Sequence, residues 1–264
     1  MKFSLSTNWC NRRMASGEEI ADKAMELGFE GLELGFHTTD EQVKGFKRRL
    51  SQMPVGSIHA FCPVPLSAPQ GYPELYALAS FDAEARAMAR FQVLKNVRFA
   101  AEMGASAVVL HAGRVMCPSL FKRLRVWKRT RRGMKMVEIL KRELEALVPE
   151  LEKHGVVLGL ENLPYYEGFP NAVEMPLLAG DWVKAWFDTG HDVVIPGCRE
   201  NVIGLHVNDS EGGDDHLAPG MGKIDFAKLK DLALSAKHLV LEPNMMIPEA
   251  ELKRGLELLK KVWA

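Results

Sequence analysis

The sequence has few cysteines, no long apolar run and no excess of charge, and each absence excludes a class of protein. Its 264 residues include four cysteines without a C-x-x-C pair, so we expect reduced thiols rather than a disulfide framework. No apolar run approaches the roughly 18–20 residues of a membrane-spanning helix, and the N-terminal segment meets charged residues too early for a secretory signal. We therefore expect a cytoplasmic protein without a membrane partner.

The charge of the chain is balanced. Lys and Arg total 34, and Asp and Glu also total 34, so the formal net charge is zero. A surface that holds duplex nucleic acid has to be net basic, which argues against nucleic acid as a partner. The remaining composition, with 47% hydrophobic and 26% charged residues, is that of an ordinary globular protein.

Short apolar segments alternate with longer amphipathic ones along the whole chain. The short segments predict eight β-strands, at residues 3–6, 31–34, 55–60, 106–111, 156–161, 183–188, 202–207 and 238–242. Helices are predicted near residues 18–27, 39–50, 82–103, 134–154, 225–235 and 248–262. This alternation indicates parallel β/α units, and eight units in a chain of this length favour a closed (β/α)8 TIM barrel. Because no composition break marks a linker, we expect one α/β domain over residues 1–264.

Histidine and carboxylate side chains lie at the ends of the predicted strands. Strands three to eight carry, in order, His59, His111, Glu161, Asp188, His206 and Glu242. The loops that follow add His191, Asp214 and His216. An unpaired carboxylate after an apolar run is costly to bury, and imidazole and carboxylate are ligands for zinc, manganese and iron. Barrel enzymes keep their active sites at the C-terminal face of the strands, so we predict a divalent-metal site there.

Four motifs carry these residues. They are LGLENLP (158–164), FDTGHD (187–192), LHVNDSEGGDDHLAPGMGKIDF (205–226) and VLEP (240–243). The residue types in these motifs and the order of the motifs along the chain are similar to those of the xylose isomerase-like TIM barrels. His59 and His111 extend this resemblance upstream. That superfamily includes sugar isomerases, sugar epimerases and family-2 AP endonucleases such as endonuclease IV.

Similarity to endonuclease IV implies three zinc ions. The first ion would be held by His59, His111 and Glu161. Glu161 would bridge to a second ion, completed by Asp188, His206 and Glu242. The third ion would be held by His191, Asp214 and His216. Such a cluster generates hydroxide near neutral pH and stabilises a phosphoester transition state, so our leading hypothesis is a multi-metal hydrolase of a small or medium phosphorylated metabolite.

Similarity to the isomerases and epimerases implies a different use of the same residues. One divalent ion would be held by Glu161, Asp188, His206 and Glu242. Glu161 and Glu242 would then act as an acid and base pair on a sugar or sugar phosphate, and His191 would contact a substrate oxygen. The ion is zinc or manganese, at one to three per chain over the two hypotheses. A non-catalytic, metal-stabilised module is a third hypothesis, although structural zinc sites are usually closed by four ligands, often cysteines.

A basic run at residues 121–136 follows the predicted fourth strand within a long connection, 112–133. Because arginine forks suit phosphate oxygens, Arg129 and Arg131 are candidates for binding the phosphate of a substrate from a lid. The alternative is a solvated start of the next helix. A second long connection, 61–81, is expected on the same face. We interpret Asp209 and Glu211 as solvated loop acids, and the oligomeric state stays open.

Overall fold

The fold is a closed barrel of eight parallel strands. The computed structural model describes residues 1–116, 122–164, 167–171, 173–191, 201–213 and 216–264, with only the backbone of 122–128. The barrel strands are β1 (Ser4–Ser6), β2 (Gly31–Leu34), β3 (Val55–His59), β4 (Ala107–Leu110), β6 (Val157–Glu161), β8 (Val183–Asp188), β9 (Val202–Val207) and β10 (His238–Leu241). Their order around the barrel is β1-β10-β9-β8-β6-β4-β3-β2, and β1 pairs with both β10 and β2. The predicted eight-stranded TIM barrel is confirmed.

Helices between the strands cover the outside of the barrel. They are α1 (Gly17–Glu26), α2 (Asp40–Arg49), α3 (Ala83–Glu102), α4 (Lys122–His154), α5 (Lys230–Ser235) and α6 (Glu249–Val262). Capping boxes begin α1 and α2, because Ser16 and Thr39 each exchange hydrogen bonds with the residue three positions later. Among the helices of the described ranges, none is long and apolar enough to cross a membrane.

The fourth helix is longer than the sequence predicts. The prediction begins it near residue 134, whereas α4 begins at Lys122. The reason is that Lys, Arg, Leu and Met are good helix formers, so the basic run extends the helix toward its N-terminus instead of forming a connection. The long connection predicted over 112–133 is therefore shorter, and residues 122–133 form the start of the next helix, which was the alternative for the basic run.

A short antiparallel ribbon, not predicted from the sequence, lies after β4 and β6. It pairs β5 (Gly113–Arg114) with β7 (Gly168–Phe169). Arg129 of α4 supports this ribbon by donating to the carbonyl oxygen of Gly168 at 2.8 Å and to the carboxylate of Glu174 at 2.6 and 3.0 Å. The loops after β4 and β6 are thereby joined on the face where the barrel strands end.

The apolar core has two parts. The larger part fills the space between the strands and the helices. A smaller cluster inside the barrel contains Ala107, Val109, Trp186 and Val240. The indole of Trp186 occupies the room beside Gly204, where an added Cβ would overlap with the ring. The indole therefore helps to fill the barrel interior, while the strand ends carry polar side chains.

Candidate functional site

Most of the predicted ligands converge at the C-terminal end of the barrel. Eight of the nine come together in groups whose ligand atoms lie within 4.8 Å of one another: His59, His111, Glu161, Asp188, His191, His206, His216 and Glu242. The ninth, Asp214, lies outside the described residues. The six at or beside strand ends are each at most 9% exposed, which brings carboxylates and imidazoles into a common buried environment.

The centre of the cluster is the imidazole of His206. Its Nδ1 lies 3.1 Å from Oε1 of Glu161 and 3.0 Å from Oε2 of Glu242. Within the described part of the chain this buried Nδ1 has no hydrogen-bond partner, despite the short distances. Two ligand atoms that each lie about 2.1 Å from an ion, with a right angle between their bonds to it, are about 3 Å from each other. The distances from Nδ1 to the two carboxylates match this value. Together with Asp188, these atoms therefore fit the ligand set of one divalent ion.

The two oxygens of Glu161 face different partners. Oε1 faces His206, whereas Oε2 lies 3.2 Å from Nε2 of His59 and 3.2 Å from Nε2 of His111. The other ring nitrogen of His111 lies 3.7 Å from a carboxylate oxygen of Glu74. His59 and His111 can therefore act in either of two ways: they can orient Glu161, or they can join it in holding a second ion.

A third group contains Asp188, His191 and His216. His191 Nδ1 lies 2.8 Å from the carbonyl oxygen of Asn162, and His216 Nδ1 lies 2.9 Å from that of Glu242. A ring nitrogen beside a carbonyl oxygen donates, so the two Nε2 atoms, 3.0 Å apart, both turn acceptor sites toward each other unless one ring is protonated. His216 also adopts a left-handed backbone conformation with φ of 44°, which non-glycine residues rarely adopt outside constrained sites.

The carboxylates raise the pKa of two histidines of the cluster. Burial disfavours the charged form of His111, but Glu161 and Glu74 outweigh it and raise its pKa to about 9. Burial likewise opposes protonation of His206, whereas Glu242, Glu33 and Glu161 raise its pKa well above the usual value. The same imidazoles lower the pKa of Glu161 well below its usual value, although burial acts in the opposite direction. The cluster therefore attracts positive charge.

Several polar residues that support the cluster were not identified from the sequence. Glu33, in the middle of β2, bonds to Nε2 of His206 at 2.9 Å. The side-chain amide of Asn8 donates to Oε1 of Glu242 at 3.1 Å, and that of Asn208 donates to Oδ2 of Asp188 at 2.7 Å. The sequence could have identified Glu33, since it is a carboxylate within an apolar strand, as Glu161 is. The asparagines lie in polar segments and could not have been identified in this way.

A cavity of about 290 Å³ opens onto the cluster. Glu161 and Glu242 line it, together with imidazoles of the cluster. Its other walls come from Phe36, Tyr72, Pro73, Glu74, Arg114, Leu163 and Pro164. The connection 61–81 thus contributes to this face, as expected, and Arg114 brings a guanidinium that is ion-paired with Glu74 at 2.6 Å.

The two arginines predicted to bind phosphate occupy different surroundings. Arg129 is buried, and its guanidinium is bonded to Glu174 and to the carbonyl oxygen of Gly168. Arg131 is exposed on α4. Neither lines the cavity in the described part of the chain, and their contact with a substrate stays a prediction.

The interpretation of Asp209 as a solvated acid is wrong. Its side chain is buried and accepts hydrogen bonds from the backbone amides of Ser210, Gly220, Gly222 and Ile224 at 2.9–3.0 Å. All four amides belong to the loop that follows β9. The backbone of this loop, rather than water, therefore provides the hydrogen bonds to the carboxylate. Glu211 is exposed, as predicted.

Comparisons with known proteins agree with this fold. A sequence model of the xylose isomerase-like TIM barrel family matches residues 21–262. Among solved structures, the chain is similar to the 3-keto-D-glucoside 4-epimerase YcjR from E. coli, with a TM-score of 0.73 and 18% identity over 99% of both chains. It is also similar to the D-psicose 3-epimerase from Clostridium cellulolyticum H10, with a TM-score of 0.70 and 15% identity over 100% of this chain and 99% of the other.

A third similar structure is a Thermus thermophilus protein, TTHB071, soaked with ZnCl2, with a TM-score of 0.68 and 23% identity over 99% of this chain and 98% of that one. No curated protein sequence matches the chain. At these identities the structural similarities show a shared fold. The family match extends over nearly the whole sequence. The chain therefore belongs to the xylose isomerase-like TIM barrel family.

Proposed function

We propose that this chain is a divalent-metal-dependent sugar isomerase or epimerase, built as one domain over residues 1–264. The observation that carries the proposal is the convergence of four buried ligand atoms within 4.8 Å, from Glu161, Asp188, His206 and Glu242. Two of these four, Glu161 and Glu242, also line the adjoining cavity. The sugar epimerases among the structures with the same fold support the reaction class.

The residues would divide the work as follows. When bound, a divalent ion polarises a carbonyl or hydroxyl pair of the sugar. Glu161 ends β6 and Glu242 directly follows β10, and because both line the cavity, a sugar bound there would contact both carboxylates. One carboxylate removes a proton from the carbon beside the carbonyl, and the other returns a proton to the sugar. An epimer results when the proton returns to the opposite face of the same carbon. An isomer results when it returns to the carbonyl carbon while the proton of the adjacent hydroxyl passes to the carbonyl oxygen.

The neighbouring side chains orient both carboxylates. Nε2 of His111 is hydrogen-bonded to Oε2 of Glu161, and Nε2 of His59 lies equally close to this oxygen, which leaves Oε1 toward His206. Asn8 holds Oε1 of Glu242, which leaves Oε2 toward the same imidazole. Each glutamate therefore presents one oxygen to the ion position and accepts a hydrogen bond, from His111 or Asn8, on its other oxygen. A carboxylate oxygen has two lone pairs, so one such bond leaves a site that can take up a proton. In this arrangement His59 and His111 need not bind metal.

The comparisons favour this reaction over the multi-metal hydrolase that led the sequence analysis. The epimerases with this fold give no support to phosphoester hydrolysis. One observation keeps the hydrolase testable, because the group of His59, His111 and Glu161 could accommodate a further ion. We propose a small sugar as the substrate, with the ion zinc or manganese and the reaction cytoplasmic. A phosphate on that sugar remains a prediction from Arg129 and Arg131.

Exchange of carbon-bound hydrogen tests the proposal. Protein reloaded with Mn²⁺ is incubated with free ketohexoses and aldoses in D2O, and NMR follows deuterium at the carbon beside the carbonyl. We expect deuterium uptake and a new epimer or isomer. Glu161→Gln and Glu242→Gln should each reduce the rate about 10²- to 10⁴-fold while the protein stays folded.

Glu143→Gln is the matched control. Glu143 is also a buried carboxylate, but it pairs with Arg86 and Arg90 in the helical layer. Its substitution should leave the exchange rate unchanged. No exchange with any sugar, together with metal-dependent release of phosphate from phosphoesters, would contradict the proposal and restore the hydrolase.

A further inference from the structure

Glu33 is a fully buried carboxylate to which the proposed function assigns no role. It lies in β2, within the apolar sequence GLEL, and its exposed fraction is 0%. A carboxylate in a barrel interior is costly unless it is paired and hydrogen-bonded. Its partners therefore indicate what it does.

Glu33 has one partner on the next strand and one farther around the barrel. Ser57 of β3, its register partner, donates from Oγ to Oε2 at 2.8 Å. Nε2 of His206, on β9, lies 2.9 Å from Oε1. Because β1 and β10 separate β2 from β9 in the sheet, this second bond crosses the barrel interior. Ser57 fixes the carboxylate, and the carboxylate reaches the histidine.

The bond decides which way the imidazole of His206 faces. The ring is stacked on His59, with centroids 5.6 Å apart and planes 6° apart, and it meets Trp186 edge-on at 5.3 Å. These contacts set the plane of the ring, and the bond to Glu33 sets its rotation within that plane. With Nε2 donating to Glu33, the acceptor site of Nδ1 is directed between the carboxylates of Glu161 and Glu242.

We propose that Glu33 is a positioning residue of the metal centre, which orients His206 and keeps its Nδ1 available to a divalent ion. A histidine ligand whose other ring nitrogen donates to a carboxylate is held in the binding orientation and is more basic. The inference rests on the proposed function in one respect, the presence of an ion at His206, and it is independent of which sugar reacts.

Metal binding tests this role without an activity assay. Chelator-stripped wild type and Glu33→Gln are titrated with Mn²⁺ by calorimetry, and their Co²⁺ complexes are compared by visible absorption. We expect the Kd for Mn²⁺ to rise about 10- to 100-fold in Glu33→Gln, with an altered Co²⁺ spectrum. Glu143→Gln, which removes a buried carboxylate remote from the site, should lower Tm but leave both the Kd and the spectrum unchanged.

The outcomes separate the role of Glu33 from the presence of the metal centre. A folded Glu33→Gln protein with the wild-type Kd and spectrum would overturn the role of Glu33 alone. A wild-type chain that binds neither Mn²⁺ nor Co²⁺ would instead refute the metal centre, and with it the proposed function. If Glu33→Gln does not fold, Ser57→Ala takes its place, because it keeps the carboxylate but removes one of its two bonds. The Kd should then rise about three- to tenfold, and an unchanged Kd would overturn the inference.

Discussion

The ion pair between Arg129 and Glu174 should be one of the most important polar contacts for the stability of this protein. The guanidinium makes two bonds to the carboxylate, at 2.6 and 3.0 Å, and both side chains are 5% exposed. A third bond, to the carbonyl oxygen of Gly168, connects the pair to the ribbon β5–β7. The substitution Glu174→Ala removes the charge and both of these hydrogen bonds from the surroundings of the buried guanidinium.

The size of the effect follows from this burial. Breaking a buried pair by removing one partner costs about 3–5 kcal/mol, which for a chain of this length lowers Tm by on the order of 10 °C. Urea unfolding followed by circular dichroism measures the loss in the free energy of unfolding. The control is Glu41→Ala, which removes an ion pair of similar length, 2.6 Å to Lys44, whose side chains are 72% and 64% exposed. This change should have little effect, because surface pairs contribute little.

The substitution Gly133→Ala tests the same ion pair through the sign of the change in stability. Replacing a helical glycine by alanine ordinarily stabilises a protein by up to about 1 kcal/mol. Here an added Cβ at Gly133 would overlap with Oε1 of Glu174 and Nη1 of Arg129. Gly133→Ala should therefore destabilise the protein. A neutral or stabilising Gly133→Ala, or a Glu174→Ala no more costly than Glu41→Ala, would refute the reasoning.

Three further predictions concern pH, a loop and the metal. Burial, with Lys237 nearby, lowers the pKa of His238 from 6.5 to about 4. The unfolded chain then binds this proton more readily than the folded chain does. The contribution of His238 to the free energy of unfolding is therefore fully present above pH 6.5 and is lost as the pH falls toward 4. Between pH 7.5 and 5 the loss is about 2 kcal/mol, and urea unfolding of His238→Gln should show a smaller loss than wild type over this range. Asp209→Ala should speed hydrogen–deuterium exchange at the amides of Gly220, Gly222 and Ile224, because these amides lose their acceptor. Asp209→Asn keeps an acceptor oxygen and should increase the exchange rate less. Equal exchange rates in wild type and both variants would contradict this prediction. Adding Mn²⁺ at 100 times its Kd to stripped protein should stabilise it by about 2.7 kcal/mol, seen as a rise in Tm; an unchanged Tm would argue against a native-state ion.

The barrel could be predicted from the sequence because each of its strands is a local pattern. Glu161 and Glu242 stood out for a physical reason, since each ends an apolar run in which an unpaired carboxylate would be unstable. The parallel arrangement of β/α units then places all strand ends on one face. Local patterning and the geometry of the barrel were therefore sufficient to predict where these side chains gather.

Contacts between distant segments could not be predicted in this way. Glu33 satisfies the same criterion as Glu161, but its partner is on a strand three positions around the barrel, which no local pattern reveals. Asp209 was misassigned because its donors lie in the same loop 11–15 residues later, where the sequence has no periodicity. The surroundings of Arg129 depend on a two-residue ribbon that is too short to be recognised in the sequence.

The most direct test of the central claim is the number of metal ions per chain. Mass spectrometry of protein purified without chelator would count the ions in wild type, His59→Ala and His206→Ala. An isomerase or epimerase with its ion held by Glu161, Asp188, His206 and Glu242 predicts one ion in wild type, one in His59→Ala and none in His206→Ala. Two or three ions in wild type, with a loss in His59→Ala, would contradict the single-ion site and favour the multi-metal hydrolase.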